Sequence, residues 1–388
     1  MTKSDNNVGE DDIVTPWTVE SKSDAGIDYD KLIVRFGCSA IDDQLINRVA
    51  TLTKGSVHHL LERQIFFSHR ELNQILDRYE KGLPFYLYTG RGPSSEALHL
   101  GHLIPFIFTK WLQEMFDVPL VIQLTEDEKF YWKNLSLDEA QKLAISNAKD
   151  IIALGFDISK TFIFYDTKFM SECPAFLDNI EEIDKKISYN QVKGIFGFDG
   201  NQNLGQTQFP AVQAAPSFSS SFPFIFGKKK DIPCLIPCAI DQDPYFRMTR
   251  DVAPRLKLPK PSLIHSKFLP ALKGAVTKAS ASDSSTAIFL SDTPEQIAQK
   301  INLNSLDGGG DCEKDVSFQY LRFFMEDGKR LEEIREKYSN GSLPVDTIRA
   351  ELIKIVTKIV IDHQTRLKEI TDDIVHEFMK PRKLKFQF

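Results

Sequence analysis

The chain has 388 residues, long enough for two or three domains, and its 42% hydrophobic content with 29 phenylalanines fits a globular protein with large aromatic cores. A formal net charge of −6 excludes a generally basic nucleic-acid binder, so any RNA contact has to use local patches. No apolar run reaches the roughly 18 residues of a membrane span, and the acidic start lacks the basic head and apolar run of a secretory signal. The five cysteines, at 38, 173, 234, 238 and 312, are scattered and odd in number. Cys234 and Cys238 have no second close pair of Cys or His, so the set reads as buried thiols of a reduced cytosolic protein.

Residues 1–30 hold eight acids against two bases and read as a solvated start. Within them, 14–19 (Val-Thr-Pro-Trp-Thr-Val) is predicted as a short edge strand or hairpin arm, with Pro16 arguing against a central strand. From 27 to 79 the pattern is mostly helical, with helix-like apolar spacing at 45–49 and 71–79. His58 and His59 suggest a metal, but adjacent residues point to different sides of a helix, so packing or surface placement is expected. From 84 to about 292, short apolar runs at 85–88, 119–124, 161–164 and 234–239 alternate with helical stretches. That alternation predicts a parallel sheet with helices on its faces, and ligands in such sheets sit at the carboxyl ends of the strands. The polar residues following those runs, at 89–91, 125–129 and 241–243, are therefore the candidate site loops.

Residues 150–231 read as an insertion, with a mobile polar loop at 198–208 and exposed loops at 217–221 and 227–230. After 292 the chain is predicted helical to its end. Ile348, Leu352, Ile355 and Ile359 form one apolar face, and Gly308–Gly310 marks a loop before a helix carrying Phe318, Leu321, Phe323 and Phe324. The basic tail at 380–385 is placed to approach RNA or to dock on the domain. The division is thus 1–82, an N-terminal extension that is largely helical with a short β element; 83–292, a parallel-sheet domain with its insertion; and 293–388, a helical C-terminal domain.

The stretch that organises the chain is 93–102, Pro-Ser-Ser-Glu-Ala-Leu-His-Leu-Gly-His. A predicted strand at 84–89 precedes it and a predicted helix at 103–116 follows. The mouth of such a helix offers unpaired N–H groups and a positive dipole end to an anion. Gly101 lets a nucleotide base lie against the backbone, and His99 and His102 can donate to phosphate oxygens. Alone, these residues equally fit a capped helix with two surface histidines.

His-x-Gly-His after Pro-Ser-Ser resembles the first signature of class I aminoacyl-tRNA synthetases, and Lys278-Ala-Ser-Ala-Ser282 lies where their Lys-Met-Ser-Lys-Ser loop falls. Longer runs, at 14–19, 88–95, 109–113, 191–198, 237–246 and 378–384, resemble the cytoplasmic, eukaryotic-type tryptophanyl-tRNA synthetases from residue 14 to 386. The resemblance implies an α/β fold: a Rossmann-like parallel-sheet catalytic domain with an insertion, then an all-α anticodon-binding domain. It implies a cytoplasmic tryptophan–tRNA ligase that uses ATP with Mg²⁺ to make tryptophanyl-adenylate from L-tryptophan and transfers the residue to tRNA(Trp). A homodimer is implied, with no membrane or DNA partner and no metal held by protein ligands; the aromatic-rich helix after His102 is a candidate for its interface.

By the same resemblance, His99, His102, Lys278 and Ser280 carry the catalytic roles, and these four with Arg91 and Gly101 hold ATP. Tyr88 and Gln123 meet the indole N–H, and each has the oxygen acceptor that this lone donor requires. Glu128 and Gln213 hold the α-ammonium, Lys129 faces the substrate carboxylate, and Gln242 lies nearby. Two departures stand out. Ala279 replaces the family's Met in the lysine loop, and 300–318 is shorter than in the family, lacking a Ser-Gly-Gly-Arg-Asp stretch that helps read the anticodon. These departures frame a second expectation, a divergent paralogue that binds or activates tryptophan in a regulatory role but charges tRNA poorly.

Overall fold

The computed structural model describes residues 12–23, 26–279 and 285–388. Among them are eleven strands: β1 (Ile13–Val14), β2 (Val19–Glu20), β3 (Ser39–Ala40), β4 (Phe66–Arg70), β5 (Tyr86–Arg91), β6 (Leu120–Leu124), β7 (Thr161–Tyr165), β8 (Cys234–Ala239), β9 (Ser262–Ser266), β10 (Pro270–Ala271) and β11 (Gly274–Lys278). Seven form one sheet in the order β3-β4-β9-β8-β5-β6-β7. The five from β9 to β7 run parallel, and β3 and β4 add an antiparallel edge.

Side chains of a strand alternate between two faces, and a sheet covered on both faces needs both sets apolar. That is the pattern here. Phe85, Leu87, Leu120, Ile122, Ile163, Leu235 and Ile264 enter one core. Tyr86, Tyr88, Val121, Phe162, Phe164, Ile236 and Leu263 enter the other. The first core continues into the C-terminal helices through Ile297, Phe318, Leu321, Ile348, Leu352, Val356 and Val360. The result is a Rossmann-like parallel sheet with a helical C-terminal layer on one side.

Several local expectations change. The stretch 27–79 is helical at Tyr29–Phe36, Asp43–Leu52, His59–Glu62 and Leu72–Glu80, but it also contributes β4 to the main sheet. The polar residues of β4 are hidden by partners on other elements: Ser68 Oγ meets His265 Nδ1 at 3.0 Å, and Arg70 pairs with both oxygens of Asp243 at 2.7 Å. His58 and His59 do not diverge. His58 is the N-cap, outside the helix proper, so the two rings stack at 4.5 Å, and His59 Nε2 meets the Phe323 carbonyl at 2.9 Å.

The polar loop at 198–208 stops at Asn203, whose side chain caps the helix Leu204–Ala214 reciprocally with Gln206. Residues 217–221 are not an exposed loop: Ser217, Ser219 and Ser221 are buried in two 3₁₀ turns, and Ser221 Oγ donates to the Ala215 carbonyl at 2.7 Å. The lysines at 228–230 are exposed, as expected. On the helix Val345–Leu367 the buried stripe runs Ile348, Leu352, Val356, Val360 and His363, with Ile355 and Ile359 flanking it half-buried.

The aromatic residues of the helix Leu100–Phe116, including Phe106, Phe108, Trp111 and Phe116, pack into the chain's own core. The basic tail docks on the sheet domain: Arg382 Nη2 donates to the carbonyls of Ile158 at 2.6 Å and Thr161 at 2.7 Å, and Lys385 pairs with Asp117 at 2.7 Å. No helix among the described residues is long and apolar enough to cross a membrane.

Candidate active site at the switch point of the sheet

The chain lays down β5, continues outward to β6 and β7, and returns on the opposite side of β5 as β8. Such a reversal leaves a crevice outside the carboxyl ends of the strands, where connections on the two sides part. A cavity of about 520 Å³ occupies this position. The three polar loops after β5, β6 and β8 meet there. Tyr88, Arg91, His99, Gly101, His102, Gln123, Glu128, Lys129, Gln213, Gln242 and Lys278 all line it. Ser280 lies outside the described residues.

One end is built from acceptors on an apolar wall. Tyr88 and Gln123 are buried on adjacent strands, and the Tyr88 hydroxyl reaches two acceptors, Gln123 Oε1 at 2.5 Å and the Gln213 carbonyl at 3.0 Å. Gln123 Nε2 donates to Asp166 Oδ1 at 2.7 Å and to the Val212 carbonyl at 3.3 Å. Phe246 sets its ring edge-on to Tyr88 at 5.7 Å. Beside them Glu128 and Lys129 form an ion pair at 2.5 Å. Gln213 Nε2 then donates to Gln242 Oε1 at 3.2 Å, Gln242 Nε2 to Asp241 Oδ1 at 3.4 Å, and Lys278 Nζ to Asp241 Oδ2 at 2.7 Å. This polar chain runs from the acceptor end to the cationic end.

The cationic end is the start of the helix Leu100–Phe116. His99 is its N-cap: His99 Nδ1 accepts from Gly101 N at 3.1 Å, and His102 Nδ1 accepts from His99 N at 3.2 Å. With both Nδ1 atoms acting as acceptors, the neutral rings carry their proton on Nε2 and remain donors. They are neutral. Burial, then the charges of Arg91 and Lys278, pushes the His99 imidazole down to about 3. Burial lowers His102 strongly as well, with Arg91 and His99 next in effect. The rings stack at 3.4 Å, and a Cβ added at Gly101 would lie 3.0 Å from His99 Cε1, so the glycine seats the His99 ring. Arg91, at the end of β5, has an Nε with no hydrogen-bond partner among the described residues, and burial pulls its guanidinium down to about 10. A half-buried cation with an unspent Nε–H beside two N–H-bearing imidazoles and Lys278 is suited to a polyanion.

The first signature is tied to the stretch 288–290. Leu100 N donates to the Ile288 carbonyl at 2.9 Å and Leu290 N to the Leu98 carbonyl at 2.8 Å. The Leu98 N–H itself is held by the buried Asp150 carboxylate at 3.0 Å.

Sequence reasoning missed three residues. Trp17, at the tip of the β1–β2 hairpin, lines the cavity and stacks on Trp132 at 5.6 Å; the signal was the Trp inside a short strand-like run. Asp241 lay in a candidate loop without a role of its own. Asp166 follows the apolar run at 161–164, a predicted strand of the sheet that β7 bears out, but the residues after that run were not among the candidate loops.

The family model of class I tRNA synthetases (W and Y) matches residues 80–385. The chain is 58% identical to human cytoplasmic tryptophan–tRNA ligase, over 98% of this chain and 83% of that protein. It is 52% identical to the Arabidopsis thaliana cytoplasmic tryptophan–tRNA ligase, over 97% and 96%. Among solved structures, the Plasmodium falciparum tryptophanyl-tRNA synthetase superposes with a TM-score of 0.86 at 45% identity, covering 92% of this chain and 98% of that one. The tryptophan-bound enzyme of Encephalitozoon cuniculi gives 0.85 at 40% identity, covering 92% and 100%. The chain belongs to the class I tRNA synthetases of the tryptophan and tyrosine group, within the branch of the cytoplasmic tryptophan–tRNA ligases.

Proposed function

We propose that this cavity activates L-tryptophan with ATP and that the activated residue is passed to tRNA(Trp), so that the chain acts in the cytoplasm as a tryptophan–tRNA ligase. One observation carries the reading: a single crevice holds a buried pair of oxygen acceptors at one end and N–H donors and cations at the other. The first end suits a flat ring with one N–H, and the second suits a triphosphate.

Under this reading the indole N–H meets Tyr88 and Gln123. Tyr88 has one proton and two acceptors, so turning it to the Gln213 carbonyl frees Gln123 Oε1 for the ligand. Glu128 and Gln213 take the α-ammonium, while Lys129 and Gln242 lie toward the carboxylate. That carboxylate attacks the α-phosphorus of ATP in line, expelling pyrophosphate. His99 and His102 donate from Nε2 to phosphate oxygens, and Arg91, Lys278 and Ser280 hold the charge that develops on the leaving group. Gly101 leaves room for the nucleotide. A ribose hydroxyl of the terminal tRNA adenosine then attacks the acyl carbon of the adenylate, forming the ester as the acyl–phosphate bond breaks and AMP leaves.

Mg²⁺ belongs to this reading as a companion of ATP. Glu128 and Asp241, the carboxylates lining the cavity among the described residues, are each paired with a lysine, so neither is free to take it. Residues 83–292 serve as the catalytic domain, 293–388 as the anticodon-binding domain and 1–82 as an extension whose hairpin overhangs the site. The assembly is a homodimer.

The test is tryptophan-dependent ATP–pyrophosphate exchange, with Tyr88→Ala and His102→Ala as controls. Exchange in the parent that is lost in both variants is the expected result. Tight tryptophan binding without exchange overturns the reading.

A further inference from the structure

We propose that Asp166, at the carboxyl end of β7, is a positioning residue that fixes which end of the Gln123 amide faces the ligand, and thereby selects a ring bearing an N–H over an isostere without one. The proposal rests on the reading that Tyr88 and Gln123 receive the indole N–H.

An amide side chain is nearly symmetric in shape and reverses its hydrogen-bonding sense when it flips. Gln123 is fully buried, so the wrong orientation has no water to relieve it. In the observed orientation every group is matched. The two Nε2 protons go to Asp166 Oδ1 at 2.7 Å and the Val212 carbonyl at 3.3 Å, and Oε1 faces the Tyr88 hydroxyl at 2.5 Å. Flipped, Gln123 would set its carbonyl against two acceptors and turn its NH₂ toward the cavity, where it would meet the ligand's N–H donor to donor. The Val212 contact is the longer of the two, so the carboxylate of Asp166 dominates the choice.

Asp166 is itself immobilised. It is fully buried, and its backbone N–H donates to Glu126 Oε2 at 2.9 Å. Glu126 also accepts from the Thr167 N–H at 2.9 Å and hydroxyl at 2.6 Å. One carboxyl oxygen from each of Glu126, Asp127 and Asp166 lies within 4.8 Å of the others. Burial, then the neighbouring carboxylates, raises both Asp127 and Asp166 far above the ordinary carboxyl range. The Oδ2 atoms of Asp127 and Asp166 are buried with no hydrogen-bond partner among the described residues, so Oδ2 is the place for a proton that Asp166 holds. Asp166 Oδ1 is left as a pure acceptor pointed at Gln123. The arrangement resembles a stop: nothing in it touches the ligand, yet it sets the polarity of the group that does.

The experiment compares kcat/KM in ATP–pyrophosphate exchange for tryptophan and for β-(benzothiophen-3-yl)alanine, in which sulfur replaces the ring N–H. The parent prefers tryptophan. In Asp166→Leu, close in shape but without acceptors, the preference falls by about tenfold or more, the loss falling on tryptophan while the analogue and the ATP KM hold. Asp166→Asn still offers an oxygen to Gln123, with its NH₂ at the Oδ2 position, and keeps the preference within about threefold of the parent. A parent that does not distinguish the two substrates overturns the Tyr88 and Gln123 reading itself. A parent that does, with Asp166→Leu unchanged in ratio or with both substrates falling equally, overturns the Asp166 assignment alone. Should the leucine variant not fold, Asp166→Ser, too short to reach Gln123, is read by the same ratio, and an unchanged ratio there overturns the proposal.

Discussion

Replacing Asp150 tests whether the first signature is held in place from the C-terminal helical layer. Asp150 is buried on the helix Leu137–Ile152, with one oxygen 3.0 Å from the Leu98 N–H and the other 3.0 Å from His363 Nε2 on the helix Val345–Leu367. Leu98 immediately precedes His99, and both Leu98 and His363 are essentially inaccessible to water. Asp150→Ala therefore strands two buried donors, each costing about 1–3 kcal/mol, so a stability loss of about 2–6 kcal/mol is expected. Urea denaturation measures it. Because the released backbone is one residue from His99, the ATP KM should rise by about fivefold or more, at ~1 kcal/mol of misplacement, while the tryptophan KM moves less than about twofold. Combined with His363→Ala, the losses should be non-additive by about 0.5–3 kcal/mol, as for groups sharing one contact. A stability loss below about 1 kcal/mol, or equal changes in both Michaelis constants, would refute the reasoning.

Three further outcomes follow from the same geometry. A Cβ at Gly92 would lie 2.4 Å from Lys129 Cε and 2.8 Å from Glu128 Oε2, so Gly92→Ala should displace that ion pair and raise the tryptophan KM. The rise should be about tenfold, the value of one charged hydrogen bond, with the melting temperature nearly unchanged; an unaltered KM counts against it. On acidification, His58 and His99, each pushed down to about 3 by burial first, stay neutral in the fold but take up protons once unfolded near pH 6.5. Their folded values being lowered, the unfolded chain binds more protons, so stability falls as pH drops from about 6.5 toward 3; His99 accounts for up to ~2 kcal/mol at pH 5, and the urea midpoints of His99→Asn should be correspondingly flatter between pH 7.5 and 5. Ala279→Met should shift the ATP KM by no more than about twofold, the range of a ~0.5 kcal/mol change, and a tightening of about tenfold would show that the apolar anchor matters.

What could be read in the sequence was whatever a strand or helix carries by itself. The runs at 85–88, 119–124, 161–164 and 234–239 are apolar on both faces because the sheet is covered on both, and each is a strand of the parallel set. The first signature was legible because a helix N-terminus needs only local sequence. β4 and β9 were not, since Ser68, Arg70 and His265 look solvent-directed until Asp243 and one another are supplied from distant positions. Ser219 and Ser221 misled for the same reason: a hydroxyl is buried cheaply once it finds a carbonyl, and that carbonyl is a property of the fold. The electrostatic state of the site was equally hidden. Two histidines beside a glycine suggest cations for phosphate, whereas burial beside Arg91 and Lys278 makes them neutral donors and leaves the positive charge to those two residues.

The two departures from the family pattern are absorbed close to where they occur. Lys278 does not depend on an apolar neighbour for its place. It ends β11, pairs in register with Pro270, and is drawn to Asp241 at 2.7 Å, while the Ala279 N–H is tied to the Leu269 carbonyl at 3.0 Å. The backbone and an ion pair set the lysine, which is the ground for expecting little change in Ala279→Met. The short connection at 305–315 is closed by its own polar residues. Tyr338 donates between Asp307 and Asp315, 2.9 Å from each, and the Gly308 N–H meets Asp315 at 3.2 Å. The glycines make this closure possible. A Cβ at Gly308 would lie 2.3 Å from the Asp311 carbonyl oxygen, and Gly309 and Gly310 take positive φ values of 59° and 93° that other residues rarely adopt. Ser305 and Ser317 complete the seam with their hydroxyls 2.6 Å apart. The connection thus holds its buried Asp315 and Ser305 with partners drawn from itself and the helices beside it.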